Sequence, residues 1–283
     1  MDINLARTFL TVAETGSFID AARRMHVTQS TVSSRIRSLE DLLGRALFER
    51  SKSGAELTSA GEQFRKHAMA LVRVWQHARL EVGLTTAHSD HLAVGAAPNF
   101  WDGFMLKWVA WMRENIPEIA VSTNSALTEQ LTQQLIEGTL DLAVMYRPNQ
   151  PAGFVIEHLF DEQFVLVTNA RAPLRRDASD YVFTDWGPDF QQDHAAAYPD
   201  MANSGLNLDI GSAGLAYILT NKASGYFPMR LVKTHISRGR LRLAKRARKF
   251  TYPVFMVYPE DYDEEAYEPI LDGLRRTARR LAR

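Results

Sequence analysis

The chain has 283 residues, more than one compact core usually takes, so two or three folding units are expected. Lysine plus arginine (33) balance aspartate plus glutamate (33), so no global field draws the molecule to a polyanion, and any nucleic-acid affinity must come from a local patch. The lack of cysteine excludes disulfides and thiolate chemistry, and the acidic "MDINLARTF" start, with no apolar run near the ~18 residues of a membrane span, sets the expectation of a soluble, cytoplasmic protein.

Residues 1–58 are helical in period until their end. Leu5, Phe9 and Val12 mark a first helix, Ile19, Ala22 and Met25 a second, and Val32, Ile36, Leu39 and Leu43 a third. At about 100° per residue, Ile36, Leu39 and Leu43 fall within about 40° of Val32 and face a core. Ser30, Ser34, Arg37 and Asp41 fall near the opposite pole, Ser33 lies on the flank beside Gln29, and Thr28 suits the N-cap. A second helix, a three- to four-residue turn and a third helix of this kind have the geometry of a helix-turn-helix, whose short hydroxyls and Gln29 amide can approach base edges. A small bundle whose third helix merely faces water has the same period. "RSKSGAELT" (50–58) then reads as a tight hairpin turning at Ser53-Gly54.

Residues 59–87 read as one long helix, opened by a capping box of Ser59 and Glu62. Its apolar positions, Phe64, Ala68, Leu71, Trp75, Ala78 and Val82, step by 4, 3, 4, 3, 4. Such a heptad seam asks for a partner helix and hence a dimer; the alternative is a helix lying on its own protein's core. Gly83, Thr85, Thr86 and Ser89 loosen the chain into a linker.

From 91 to 283 strand and helix alternate, as in a parallel sheet with crossovers. Strands are expected at 91–96, 118–124, 140–146, 163–168, 181–186, 208–212 and 252–258, and helices at 99–115, 127–137, 213–221 and 264–282. Gly138 takes the C′ role after the second of these helices. His88 and His91 flank Ser89-Asp90 without a third ligand, so no metal is expected. Nor is there a Gly-rich phosphate loop, a nucleophile elbow or an HExxH pattern. The basic stretches 233–249 and 275–283 read as solvated faces, the second with an acidic neighbour at 261–268 to pair with.

Together, Phe9, Gly16-Ser17-Phe18, Ala21-Ala22, "VTQSTVS" (27–33), Ile36, Leu39-Glu40, Leu42, Gly44, "LFER" (47–50), "LTSAG" (57–61) and "LIEGTLDLAV" (135–144) resemble the LysR-type transcriptional regulators over essentially the full length. "LARTFLTVAETGSF" (5–18) and "WGPDFQQ" (186–192) resemble one branch of that family more narrowly. The resemblance implies a multi-domain α+β chain: a winged helix-turn-helix at 1–58, a dimerising linker helix at 59–87 and a two-lobed α/β effector-binding domain, similar to periplasmic binding proteins, at 91–283. Lobe I would comprise 91–162 and 261–283, and lobe II 163–260. It further implies a homodimer, typically a homotetramer, that binds promoter DNA and a small-molecule effector and carries no other cofactor.

Carried over by position, Gln29, Ser30, Thr31 and Ser33 should meet bases or nearby phosphates, and Ser34, Arg35 and Arg37 should add hydroxyl and phosphate contacts. Arg50 should meet the phosphate backbone, and the hairpin with Lys52 should be the wing. Many members carry arginine where this chain has Ser34 and a polar residue where it has Arg35, so base preference does not transfer. For the effector, strand C-terminal ends and helix N-termini single out Pro98, Asn99, Phe100, Trp101, Thr128, Tyr146, Arg147, Thr168, Trp186, Phe190, Ser212 and Phe227, with Arg230 beside them. An organic acid would use helix N-termini and Arg147, whereas a quaternary cation would use an aromatic cage. Two rival classes remain: an architectural DNA protein whose lobes only oligomerise, and an enzyme or solute-binding protein with an incidental N-terminal bundle.

Overall fold

The computed structural model describes residues 2–51, 54–82, 90–149, 152–169, 180–201, 205–209 and 211–281. Its first three helices are α1 (Ile3–Thr15), α2 (Phe18–Arg24) and α3 (Gln29–Leu43). Each opens on a short polar cap: Asp2 accepts from the amide of Asn4, Ser17 from that of Asp20 and Thr28 from that of Thr31. Their facing stripes bury Phe9, Val12, Ala21, Val32, Ile36 and Leu39 completely or nearly so. A hairpin of β1 (Phe48–Ser51) and β2 (Gly54–Leu57) closes this unit. The Ala55 amide donates to the Gly16 carbonyl over 2.7 Å, and a Cβ on Gly54 would lie 2.4 Å from that same oxygen, so only glycine fits there. The Glu40 carboxylate accepts from the amides of Leu47 (2.8 Å) and Phe48 (3.3 Å), tying the hairpin to α3.

The long helix α4 (Ser59–Glu81) is capped one residue earlier than its sequence suggests. Thr58 Oγ1 accepts from the Gly61 amide at 3.0 Å and donates to the Ala46 carbonyl at 2.8 Å, while Glu62 pairs with Arg65. The seam also divides. Ala68 is fully buried with Met69 and Val72 in the first unit's core, and the Phe64 ring packs 5.1 Å from Phe9, so this end of the seam covers the chain's own core rather than a partner. Leu71, Trp75, Ala78 and Val82 remain exposed, joined by Val74, and keep an apolar stripe along the second half.

Beyond it come β3 (Asp90–Ala96), the single turn α5 (Pro98–Phe100), α6 (Leu106–Asn115), β4 (Ile119–Ser125), α7 (Thr128–Ile136) and β5 (Leu142–Tyr146). The expected helix over 99–115 is broken: Asp102 is extended and Gly103 left-handed inside a wide turn, Trp101–Met105. Gly138 adopts φ +65° just past α7, in the C′ role. The chain then passes through β6 (Phe154–Thr168), β7 (Val182–Thr184), α8 (Pro188–Ala197), β8 (Leu206–Leu208), α9 (Gly211–Thr220), β9 (Ser224–Pro228), α10 (Met229–Ser237), β10 (Arg242–Leu243), β11 (Phe250–Pro259) and α11 (Glu264–Leu281). Unforeseen from sequence were α8, β9, α10, β10 and the first half of β6, and residues 211–212 open a helix instead of ending a strand.

The main sheet runs β10-β6-β11-β5-β3-β4, with β9 also on β6. It is mixed rather than parallel: β3 lies parallel to β4 and β5, but β11 runs antiparallel to both β5 and β6. One core gathers Phe160, Val254, Met256, Tyr258 and Leu271, and another gathers Phe164, Phe190, Tyr226, Phe250 and Tyr252. The two long strands therefore pass from lobe to lobe in mid-strand, β11 changing register between Val254 and Phe255. The expected boundary at 260/261 falls too late, because Val254, Met256 and Tyr258 fill lobe I.

Candidate nucleic-acid interface and effector cleft

On α3 Val32, Ile36 and Leu39 point inward, whereas Leu43, expected on the same face, is exposed at the last turn; of the polar side, Gln29, Ser30, Ser34 and Arg37 are exposed, and Thr31, Ser33 and Arg35 half-buried. The Thr28 hydroxyl lies 2.8 Å from the hydroxyls of both Ser30 and Thr31, so these two belong to the helix cap as well as to the outer face. Arg35 is turned away: its Nη1 donates to Thr8 Oγ1 on α1 over 3.3 Å, which ties α3 to α1 rather than offering the charge to phosphate. The turn between α2 and α3 passes through His26 at φ +54°. Arg50 sits in β1 opposite Ala55, and Lys52 lies outside the described residues.

Between the lobes, four polar side chains meet. The Tyr146 hydroxyl donates to Glu162 Oε2 (2.6 Å) and accepts from Asn99 Nδ2 (2.6 Å). Arg230, on α10 of lobe II, donates from Nε to Glu162 Oε1 (2.5 Å) and from Nη2 to the Asn99 carbonyl (2.5 Å), and reaches the Asp102 carbonyl as well. Both ionic side chains are out of water, Arg230 6% and Glu162 2% exposed. Burial, then the adjoining Glu162 carboxylate, push the Tyr146 phenol well above its ordinary range, so it stays a proton donor to that carboxylate. At the rim, Arg147 in lobe I pairs with Asp189 in the first turn of α8 at 2.8 Å; Arg147 holds φ +36°, a conformation seldom adopted away from glycine.

Asn99, Tyr146 and Arg147 thus converge, and Thr128 stands close by, its Oγ1 3.4 Å from the Tyr146 carbonyl. Phe100 lies under the cluster, 4.6 Å from the Tyr146 ring and 5.8 Å below the Arg230 guanidinium, but is wholly buried and serves as floor rather than contact surface. Trp186, Phe190 and Phe227 are not in the cleft. They pack together with Phe164 and Tyr226 as the core of lobe II, with the Trp186 indole bonded to the Tyr226 carbonyl. Thr168 is buried at the far end of β6 on the Ala223 carbonyl. Pro98 and Ser212 are exposed where α5 and α9 face each other, and Trp101 is half-buried with its indole on the Ala96 carbonyl. Glu162 and Asp189 escaped the sequence reading. For Glu162 the signal was there: Phe160, Glu162, Phe164 and Leu166 alternate on one face of β6, so a carboxylate stands in an apolar row.

A capped helix-turn-helix with a hairpin wing, joined by one long helix to two lobes that share a crossed sheet, defines a DNA-binding regulator with its own ligand-binding unit. The family model described as bacterial regulatory helix-turn-helix protein, lysR family, matches residues 3–62, and the LysR substrate binding domain matches 85–279. The chain is a member of the LysR family of transcriptional regulators, and its relatives are regulators, not enzymes. It is 31% identical over 271 residues to the HTH-type transcriptional regulator HdfR of Escherichia coli O17:K52:H18, covering 94% of this chain and 95% of the relative. Among solved structures it is similar to full-length LysG from Corynebacterium glutamicum with bound effector Arg (TM-score 0.61, 18% identity, 99% of both chains). It is likewise similar to Vibrio fischeri DarR in complex with DNA (TM-score 0.60, 17% identity, 97% and 98% of the chains). Among the described residues no helix is long and apolar enough to cross a membrane, and no group of three or more His, Asp or Glu could hold a metal ion.

Proposed function

We propose that this regulator reads promoter DNA with the outer face of α3, assembles in the cytoplasm as a homodimer and then a homotetramer, and alters DNA binding or bending when a small molecule enters between its lobes. The observation that carries the reading is the division of α3: Val32, Ile36 and Leu39 are buried while Gln29, Ser34 and Arg37 stand exposed on a capped, rigid helix. Gln29 addresses a base edge, Ser34 adds a hydroxyl contact, and Arg37 and Arg50 serve the phosphates. Gln29→Ala should remove roughly 1–3 kcal/mol of sequence discrimination in a competition binding assay while leaving nonspecific affinity in place. Unchanged site preference sinks this role. The exposed stripe Leu71, Val74, Trp75, Ala78 and Val82 supports pairing through α4.

For the effector, an organic acid fits the rim. Arg147 and Asp189 are 60% and 36% exposed, so their pair is weakly held and a carboxylate can take Asp189's place. A second reading, a cation-bearing effector, is favoured by the local charge: Asp102, Glu162, Asp189 and Asp193 gather at the junction, and both guanidinium groups already have carboxylate partners. Thermal shifts of the full-length protein with succinate, benzoate, choline and arginine separate the two. Stabilisation by the acids alone supports the first reading, by choline the second, and by none of them the architectural alternative.

A further inference from the structure

The lobe I helix α7 touches the effector cleft at one end and the DNA-reading unit at the other. Its first residue, Thr128, reaches the backbone of Tyr146. About 13 Å further on, at 1.5 Å per residue, its last turn meets α1 and α2. There Glu14 pairs with Arg24 at 3.1 Å, both side chains about two-thirds withdrawn from solvent (28% and 35% exposed). The Gln133 amide and the Glu137 carboxylate of lobe I face that same Glu14. Gln133 donates to Glu137 and is itself 9% exposed. Partial burial, with Glu137 opposite, holds the Glu14 carboxyl above its ordinary range against the pull of Arg24 and Gln133.

Apolar contact continues beside the charges. Ile136 and Phe154 of lobe I pack on the cluster that holds Phe9, Met69 and Val72. The turn after α7 lies against the α4 backbone so closely that a Cβ on Gly138 would stand 3.0 Å from the Arg73 Cα. Arg73 in turn pairs with Asp261. A polar groove of about 510 Å³ opens between Arg24 and the α7 residues Gln130, Gln133 and Gln134.

We propose that the second half of α7, with Gly138 and Phe154, is a docking face for the same chain's own α1, α2 and α4, and that it carries movement of the cleft to the recognition helix within one subunit. The linker helix is then not the only mechanical route from effector to DNA. The face is bipartite: an apolar contact fixes the position of the reading unit, and the Glu14–Arg24 pair against Gln133 and Glu137 fixes its orientation.

The chain has no cysteine, which makes a paired-thiol test clean. In the full-length Glu14→Cys/Gln133→Cys protein, a short bifunctional thiol reagent should give a cross-link within one chain, seen as a faster-migrating monomer band in denaturing gels and as a linked pair of peptides holding positions 14 and 133 in mass spectrometry. Failure to cross-link, or a product of two-chain mass, overturns the proposal. The coupling has its own readout. Arg147→Ala and, separately, Asp189→Asn remove the exposed rim pair and loosen the cleft without touching the core. Hydrogen exchange in either variant should quicken about twofold at 128–137 and also at 12–24, the scale that an exposed ion pair supports. Faster exchange confined to 98–105 and 229–237, with 12–24 unchanged in both variants, overturns it.

Discussion

The two working ends of this chain place their polar residues oppositely. On α3 Gln29, Ser34 and Arg37 stand exposed on the side away from the buried Val32, Ile36 and Leu39, while Ser30 and Thr31 meet the cap at Thr28 and Arg35 is drawn back to Thr8. In the cleft the polar residues are buried and bonded to one another: Arg230, Glu162, Tyr146 and Asn99 form one connected set. A surface that must meet a polyanion keeps its donors free for the partner. A junction between two lobes holds itself together with groups that each demand a partner. The difference predicts where a single change is costly, and the largest effect belongs to the cleft.

Glu162→Ala strands the Arg230 guanidinium in a site where it is 6% exposed. Removing one partner of a buried ion pair costs about 3–5 kcal/mol, because the remaining charge stays desolvated. Urea unfolding of the full-length protein should show that loss, and the double change Glu162→Leu/Arg230→Met should recover most of it. A loss below about 1 kcal/mol breaks the comparison, since the pair would then behave like a surface contact.

Next comes His194 in the core of lobe II. It is 0% exposed, stacked 5.4 Å from the Tyr181 ring, and its Nε2 lies 2.7 Å from the Tyr181 hydroxyl. Burial lowers its pKa from 6.5 to about 4. A base with a depressed folded value binds fewer protons folded than unfolded. Its neutral form therefore supports stability fully above about pH 6.5, and the contribution is lost as pH falls towards 4. At about 1.4 kcal/mol per unit the loss approaches 3 kcal/mol. Unfolding measured from pH 7.5 to 4.5 should show this slope, and His194→Phe should flatten it.

How far each end could be read from sequence follows from the same contrast. The reading unit is legible because its signals are local: Val32, Ile36 and Leu39 repeat at helical spacing, and Thr28 and Gly44 bracket them. Arg35 was misplaced only because its partner, Thr8, lies 27 residues away on another helix. The cleft depends on such distant pairings throughout. Arg230 and Glu162 are 68 residues apart, and the charges in "EHLFDEQF" hide the first half of β6. Aromatic residues carry no mark of which side of a lobe they serve. Phe190 and Phe227 looked like cage walls but fill a core, because only the packed sheet decides which ring faces inward.

A smaller effect concerns α4, where Thr58 both caps the helix and bonds to Ala46. Thr58→Ala should cost about 1 kcal/mol of stability, as lost N-caps do, whereas Ser59→Ala should cost almost nothing. Equal losses from the two changes would restore the capping box expected from the sequence. Trp75→Ala, on the exposed stripe, should leave monomer stability nearly unchanged and lower the dimer fraction in analytical ultracentrifugation.

The smallest effect sets the scale for the first. Arg23 and Asp20 form an ion pair on α2 at 3.1 Å, with side chains 77% and 55% exposed. Its chemistry is that of Arg230 and Glu162, and only the surroundings differ. Water already solvates both groups, so Asp20→Asn exchanges one hydrated partner for another and gives up a fraction of the favourable charge at the helix N-terminus. The expected change is at most about 0.5 kcal/mol, shrinking further in high salt as exposed charges are screened. The Glu162 variant should show little salt dependence, because no ion from solution reaches that pair. Matching salt responses in the two variants would mean that the cleft is as wet as the surface of α2, and the division between an open reading end and a self-paired sensing end would fall.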